Sequence, residues 1–133
     1  MMISEFGSNG YRNGRADSPV TVWTPPAAIL EVAAEEHDLI SELIESYITD
    51  MQSRLQRIRT AMRASNTAIL RSEIHTIKGS SKQMGANSVS SVCEHIELSG
   101  DRPLAYLASL VDELDVRIAE TSEAMLWYQR ASR

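Results

Sequence analysis

Four residues in one stretch, Arg71, His75, Lys78 and Lys82, have side chains that could handle a charged group together, and Gly79 stands among them. On a helix advancing roughly 100° per residue, with His75 at zero, Arg71 falls at about −40°, Lys78 at about −60°, Gly79 at about +40° and Lys82 at about −20°. Ile77 and Met84 fall almost opposite. The stretch therefore predicts an exposed histidine among three cations and a glycine, on the outer face of a helix whose other side is core. A helical glycine costs about 1 kcal/mol relative to Ala, so the missing side chain at Gly79 calls for a reason. One turn from an exposed imidazole, that reason is clearance for another molecule's backbone or a bulky substituent. Lys78 shares the face three positions on and could set an ammonium beside an oxyanion carried by the ring.

These residues need a helix to hold them, and the apolar spacing supplies several. From Thr24, a capping residue followed by Pro25 and Pro26 predicts a short helix through Ala34. A long amphipathic run follows, with Leu39, Ile40, Leu43, Ile44, Tyr47, Ile48, Met51, Leu55, Ile58 and Met62 at intervals of three and four. Asn66 caps a third helix carrying Leu70, Ile74, Ile77 and Met84, and Gly85 stands where a left-handed residue would stop it. Asn87 caps a fourth with Val89, Val92, Cys93 and Ile96, ended by Ser99 and Gly100. Asp101 and Pro103 start the last, with Leu104, Leu107, Val111, Leu114 and Ile118. No stretch shows strand alternation, and no solenoid period repeats. Short connections between amphipathic helices make consecutive helices antiparallel neighbours. The expected fold is all-α: an antiparallel up-and-down four-helix bundle over residues 24–133, with a short extra N-terminal helix. Residues 1–23, rich in Gly, Ser and Asn, are expected to form a flexible tail whose Phe6, Tyr11 and Trp23 could dock on the domain or on a partner.

With 133 residues the chain suffices for one domain but not for a nucleotide-binding kinase domain plus a second module. The net charge of −5 is unevenly spread. Residues 51–93 carry seven bases against Glu73 alone, while the segments before and after them are acidic. Such a chain should repel bulk nucleic acid yet offer one local patch to a phosphate or an acidic partner. The single cysteine gives no disulfide framework, and there is no signal peptide and no apolar stretch of about 20 residues, so a soluble cytoplasmic protein is expected.

Other chemistries fare worse. His37 and His95 do not stand at i, i+4 from His75, and the lone thiol cannot complete a soft site, so no metal centre is expected. Cys93, among Val89, Val92 and Ile96, reads as a buried inert thiol. Lys-Gly-Ser-Ser lacks the Gly-Lys order of a phosphate-binding loop. Arg54, Arg57, Arg59 and Arg63 are spread around their helix without interleaved aromatics, which argues against nucleic-acid binding. Trp127 and Tyr128 are expected to cap the bundle end.

The run His75-Thr76-Ile77-Lys78-Gly79-Ser80-Ser81, with Gly85 ten positions after the histidine, resembles the signature of histidine phosphotransfer (HPt) domains. The resemblance continues through Val92-Cys93-Glu94-His95-Ile96-Glu97 and in helix order covers about residues 24–128. It implies a phosphoryl carrier in a multistep phosphorelay of the two-component kind, without an ATP site of its own. His75 would accept the group from an aspartyl phosphate on a response-regulator receiver domain and give it to a second receiver's aspartate. Lys78 would stabilise the phosphate; Gly79, Arg71 and Lys82 would serve docking. The chain needs no cofactor, because the receiver brings the acidic pocket and Mg²⁺. Receivers, and a hybrid sensor histidine kinase, are the implied partners of a monomeric carrier. The competing reading is a helical adaptor that docks receivers through the His75 face without accepting phosphate; a third is one domain of a larger sensor kinase, although the Met start and loose leader suit a free-standing protein. Two positions depart from the pattern. Glu73, at about +160° from His75, falls toward the core and is expected at the bundle edge, paired with an arginine. Glu97 occupies a position from which some HPt proteins point a polar side chain at the phosphoryl group; its carboxylate would repel phosphate, which sets it outside the expected site.

Overall fold

The computed structural model describes residues 18–36 and 38–132. The expected tail residues Phe6 and Tyr11, and His37, lie outside them. Five helices follow one another: α1 (Ala27–Ala33), α2 (Leu39–Arg63), α3 (Thr67–Gln83), α4 (Asn87–Leu98) and α5 (Leu104–Ala131). α2 packs on α3, α3 on α4, α4 on α5, and α5 closes the ring onto α2; α1 lies against α2. This is the expected antiparallel bundle with its extra N-terminal helix. Its core is the apolar stripe of each helix turned inward. Ile44, Met51 and Ile58 of α2 meet Leu70, Ile74 and Ile77 of α3, Val89 and Cys93 of α4, and Val111, Leu114, Ile118 and Met125 of α5. Burial pushes the Cys93 thiol up to about 12, so it is the inert core group expected.

The two turns that flank α3 use the same device. After α2, Asn66 N–H donates to Ala61 O at 2.8 Å and Ser65 N–H to Met62 O at 3.1 Å, with Ser65 at φ 53°. After α3, Ala86 N–H donates to Ser81 O at 2.8 Å and Gly85 N–H to Lys82 O at 3.2 Å, with Gly85 at φ 70°. Asn66 also caps α3, its Oδ1 accepting from Ile69 N–H at 3.1 Å. Two other expected caps are corrected. Pro26, not Thr24, occupies the N-cap position of α1, and Asn87 is the first residue of α4 with Ala86 before it; neither cap has a side-chain bond. In both cases the turn is placed by tertiary packing and the polar side chain is left to solvent.

That packing centres on Trp23. Trp23, the last residue of the expected tail, takes the domain-docking alternative: it is buried at 6% exposure, and its Nε1–H donates to Met84 O at 2.7 Å. Met84 is the C-cap of α3, so the indole satisfies a carbonyl that the helix leaves unbonded. Its ring meets Tyr128 of α5 edge-on, 5.4 Å between centroids, and Pro26 closes over Gly85, where a Cβ would lie 3.0 Å from the Pro26 Cγ. Gly85 is thus required both by its backbone angle and by the space above it. On the other side of α3, the buried Tyr47 hydroxyl bonds Ser81 Oγ at 2.7 Å, and burial pushes that phenol up to about 12.

Most of the arginines of α2 hold helices together. Glu73, half-buried as expected at the bundle edge, accepts from Arg54 Nη1 at 2.9 Å and Arg57 Nε at 3.1 Å. Arg59 reaches across to α5 and donates to Asp112 at 2.9 Å and Asp115 at 3.2 Å. The basic middle of the chain is therefore largely neutralised between helices rather than displayed.

Candidate functional site: an exposed histidine with a carboxylate and an ammonium behind it

α3 is anchored at its start by Asn66, along its inner side by Leu70, Ile74, Ile77 and the Tyr47–Ser81 bond, and at its end by Trp23. Its register is therefore fixed, and with it the outward direction of His75. The His75 side chain is 76% exposed on an open helical face. Gly79, one turn on, is also exposed, and a Cβ built there would meet nothing within 4 Å. Nothing among the described residues asks for a glycine at that position.

Across from His75 stands Glu97 of α4. Its Oε2 lies 3.2 Å from His75 Nδ1 and its Oε1 accepts from Lys78 Nζ at 2.5 Å. A carboxylate can only accept, so the bond assigns the ring proton to Nδ1 and leaves the lone pair of a neutral imidazole on Nε2, facing outward. Lys78 holds the Glu97 carboxyl below the usual carboxylate range, outweighing partial burial, and the His75 contact acts in the same sense. The same bond pushes the Lys78 ammonium up. Glu97 is thus an anion and Lys78 a cation throughout the neutral range.

The expected site residues are not all brought together. His75, Lys78 and Gly79 share one face, with Lys78 turned onto Glu97. Arg71 leans the other way, its Nη2 donating to Gly100 O at 2.7 Å in the α4–α5 connection with Asp101 4.0 Å away. Lys82 is exposed at the far end of the face. Glu97, set aside on its charge, is the residue that joins His75 to Lys78. Its signal in the sequence was its match, in the last turn of the helix expected beside α3, to a position from which some HPt proteins point a polar side chain at the phosphoryl group; what the sequence does not display is which α3 side chains that turn meets. No group of three or more His, Cys, Asp or Glu residues placed to hold a metal occurs among the described residues, and no described helix is long and apolar enough to cross a membrane.

An outward Nε2 with an ammonium one turn on is suited to accept a phosphoryl group and to let a partner approach across Gly79. The chain is similar in fold to the crystal structure of histidine-containing phosphotransfer protein B (HptB) from Pseudomonas aeruginosa PAO1, with a TM-score of 0.65 and 24% identity over 82% of this chain and 95% of that one. No curated protein sequence matches the chain significantly. The Hpt domain family model, however, matches residues 42–125, from the first turn of α2 to the last third of α5. With that match spanning all four bundle helices and the histidine face between them, the chain belongs to the Hpt domain family.

Proposed function

We propose that this protein carries a phosphoryl group on His75 between the aspartates of response-regulator receiver domains in a multistep phosphorelay. The observation that carries the reading is the geometry of the ring: Nδ1 bonded to Glu97, Nε2 free and outward, on a side chain 76% exposed. The Nε2 lone pair attacks phosphorus; the P–O bond to the receiver's aspartate breaks and its electron pair returns to the carboxylate. Delivery reverses these steps on a second receiver. The receiver supplies the Mg²⁺ and the acidic pocket, so the chain needs a nucleophile, a nearby cation and clearance, without an ATP site of its own. A monomer working in the cytoplasm beside its receivers, with a hybrid sensor kinase as the upstream source, completes the reading. Docking as a phosphate-free adaptor would not require a ring held in one tautomer with an ammonium beside it.

The test is to mix the protein with a phosphorylated receiver and follow the label. Acid-labile, base-stable phosphate on this chain supports the carrier; none with several receivers contradicts it. A further outcome concerns Gly79. Because a Cβ added there meets nothing within 4 Å among the described residues, Gly79→Ala is expected to raise stability by about 0.8–1 kcal/mol. Gly79→Gln should also fold normally yet slow transfer about tenfold to a hundredfold, by holding the receiver back from Nε2. Denaturant titration and label transfer on the two variants check both halves. An unimpaired rate in Gly79→Gln would show that no partner needs that space.

A further inference from the structure

Glu97 is the carboxylate bonded to both His75 and Lys78, and its charge opposes the task of its neighbours. A phosphoryl group on Nε2 needs Lys78, yet in the unphosphorylated chain Lys78 is already bonded to Glu97 Oε1. Resting on the carrier reading of His75, we propose that Glu97 is a built-in competitor for Lys78, which lowers the stability of the phosphorylated form and sets how readily His75 gives its phosphoryl group away.

The charges decide between two opposite effects of the carboxylate. When Nε2 bonds phosphorus, the ring keeps its Nδ1 proton and becomes a cation, and Glu97 sits against that cation. The phosphoryl oxygens carry about two negative charges but lie beyond the ring from Glu97, so the attraction of the nearer ring cation offsets their repulsion. What remains is the ammonium. Lys78 has three donors on a flexible stem, and to serve the phosphoryl oxygens it must be shared with Glu97 or leave it. A contact made fully only in the empty state shifts the balance toward that state by its own free energy. The step itself needs no proton transfer: on donation the P–Nε2 electron pair returns to the ring, which leaves neutral with Nδ1–H still on Glu97. Glu97 thus keeps the ring ready for attack and keeps the product from being stored.

Glu97→Gln preserves shape and removes the charge, so its amide binds Lys78 more weakly. With a fixed amount of one phosphorylated receiver, the equilibrium ratio of phosphohistidine to aspartyl phosphate is expected to rise about tenfold in Glu97→Gln relative to the wild type. In a Lys78→Ala background the same substitution should give no such rise, because the contested cation is gone. Circular dichroism on all four chains controls for folding. An unchanged or lowered ratio in Glu97→Gln, or an equal rise with and without Lys78, would overturn the competition while leaving the carrier intact. A wild type that accepts no label would overturn both.

Discussion

His75→Gln is expected to lose all acid-labile, base-stable label from a phosphorylated receiver while keeping its helix content and its melting temperature. The glutamine amide has no nucleophilic lone pair to replace Nε2, so the loss should reach the detection limit rather than a fraction. The fold should not notice. The His75 side chain is 76% exposed, and its one bond, 3.2 Å to a surface carboxylate, belongs to the class of contacts whose removal changes stability by less than about 0.5 kcal/mol. Glu97 and Lys78 keep each other as partners in the variant, so no charge is stranded. If label survived the substitution, the carrier atom would lie elsewhere. His95 would be examined next, exposed on α4 with its Nε2 3.3 Å from the Tyr106 hydroxyl.

The second large effect is on stability. Trp23→Ala should cost about 3–5 kcal/mol and lower the melting temperature by about 10 °C or more, although Trp23 precedes every helix. The substitution removes a buried indole, strands the Met84 carbonyl and opens the space between Tyr128 and Pro26. A residue of a loose leader would cost less than about 0.5 kcal/mol, so thermal and urea unfolding separate the two descriptions cleanly. Trp23→Phe divides the effect: it keeps most of the apolar surface and loses the hydrogen bond, and should fall between the two. Because Met84 closes the same helix that carries His75, the loosened α3 end should also exchange its amide hydrogens faster in Trp23→Ala.

The contrast between Trp23 and the bundle helices indicates which physical information a sequence displays. Ile74, Ile77 and Met84 recur with the helical period, so their burial and the outward face of His75 follow from spacing alone. Asn66, through its side-chain cap, and Gly85, through its backbone angle, act locally and are equally legible. Trp23 lies in an extended segment with no period, and its burial depends on a carbonyl 61 positions away. The arginines of α2 pose the same problem. Their charge is visible in the composition, but Arg59 is neutralised by Asp112 and Asp115, more than 50 positions on, and only the packed register reveals it. The expectation that the basic middle offers a patch to an acidic partner is reduced accordingly: Lys78 is paired with Glu97, and Arg71, though exposed, is drawn to the Gly100 carbonyl, which leaves Lys82 as the exposed cation at the other end of that face.

Glu97 is the instructive case at the site. Weighed against phosphate alone, a carboxylate near a phosphoryl acceptor is unfavourable. Weighed with its actual neighbours, it orients one ring nitrogen and occupies one ammonium, and both relations depend on how α4 lies against α3. Glu73 shows the opposite outcome, since its place toward the core required a cation and the nearest turns of α2 supply two.

The most direct measurement is a relay between two receivers. The protein is phosphorylated from one receiver, freed of it, and mixed with a second, unphosphorylated receiver and Mg²⁺. Label should leave His75, identified as the labelled residue by peptide mapping, and appear on the second receiver's aspartate far faster than it is lost to water. Label that maps to any other residue, or that stays on the chain until it hydrolyses whichever receiver is added, would contradict a phosphoryl carrier.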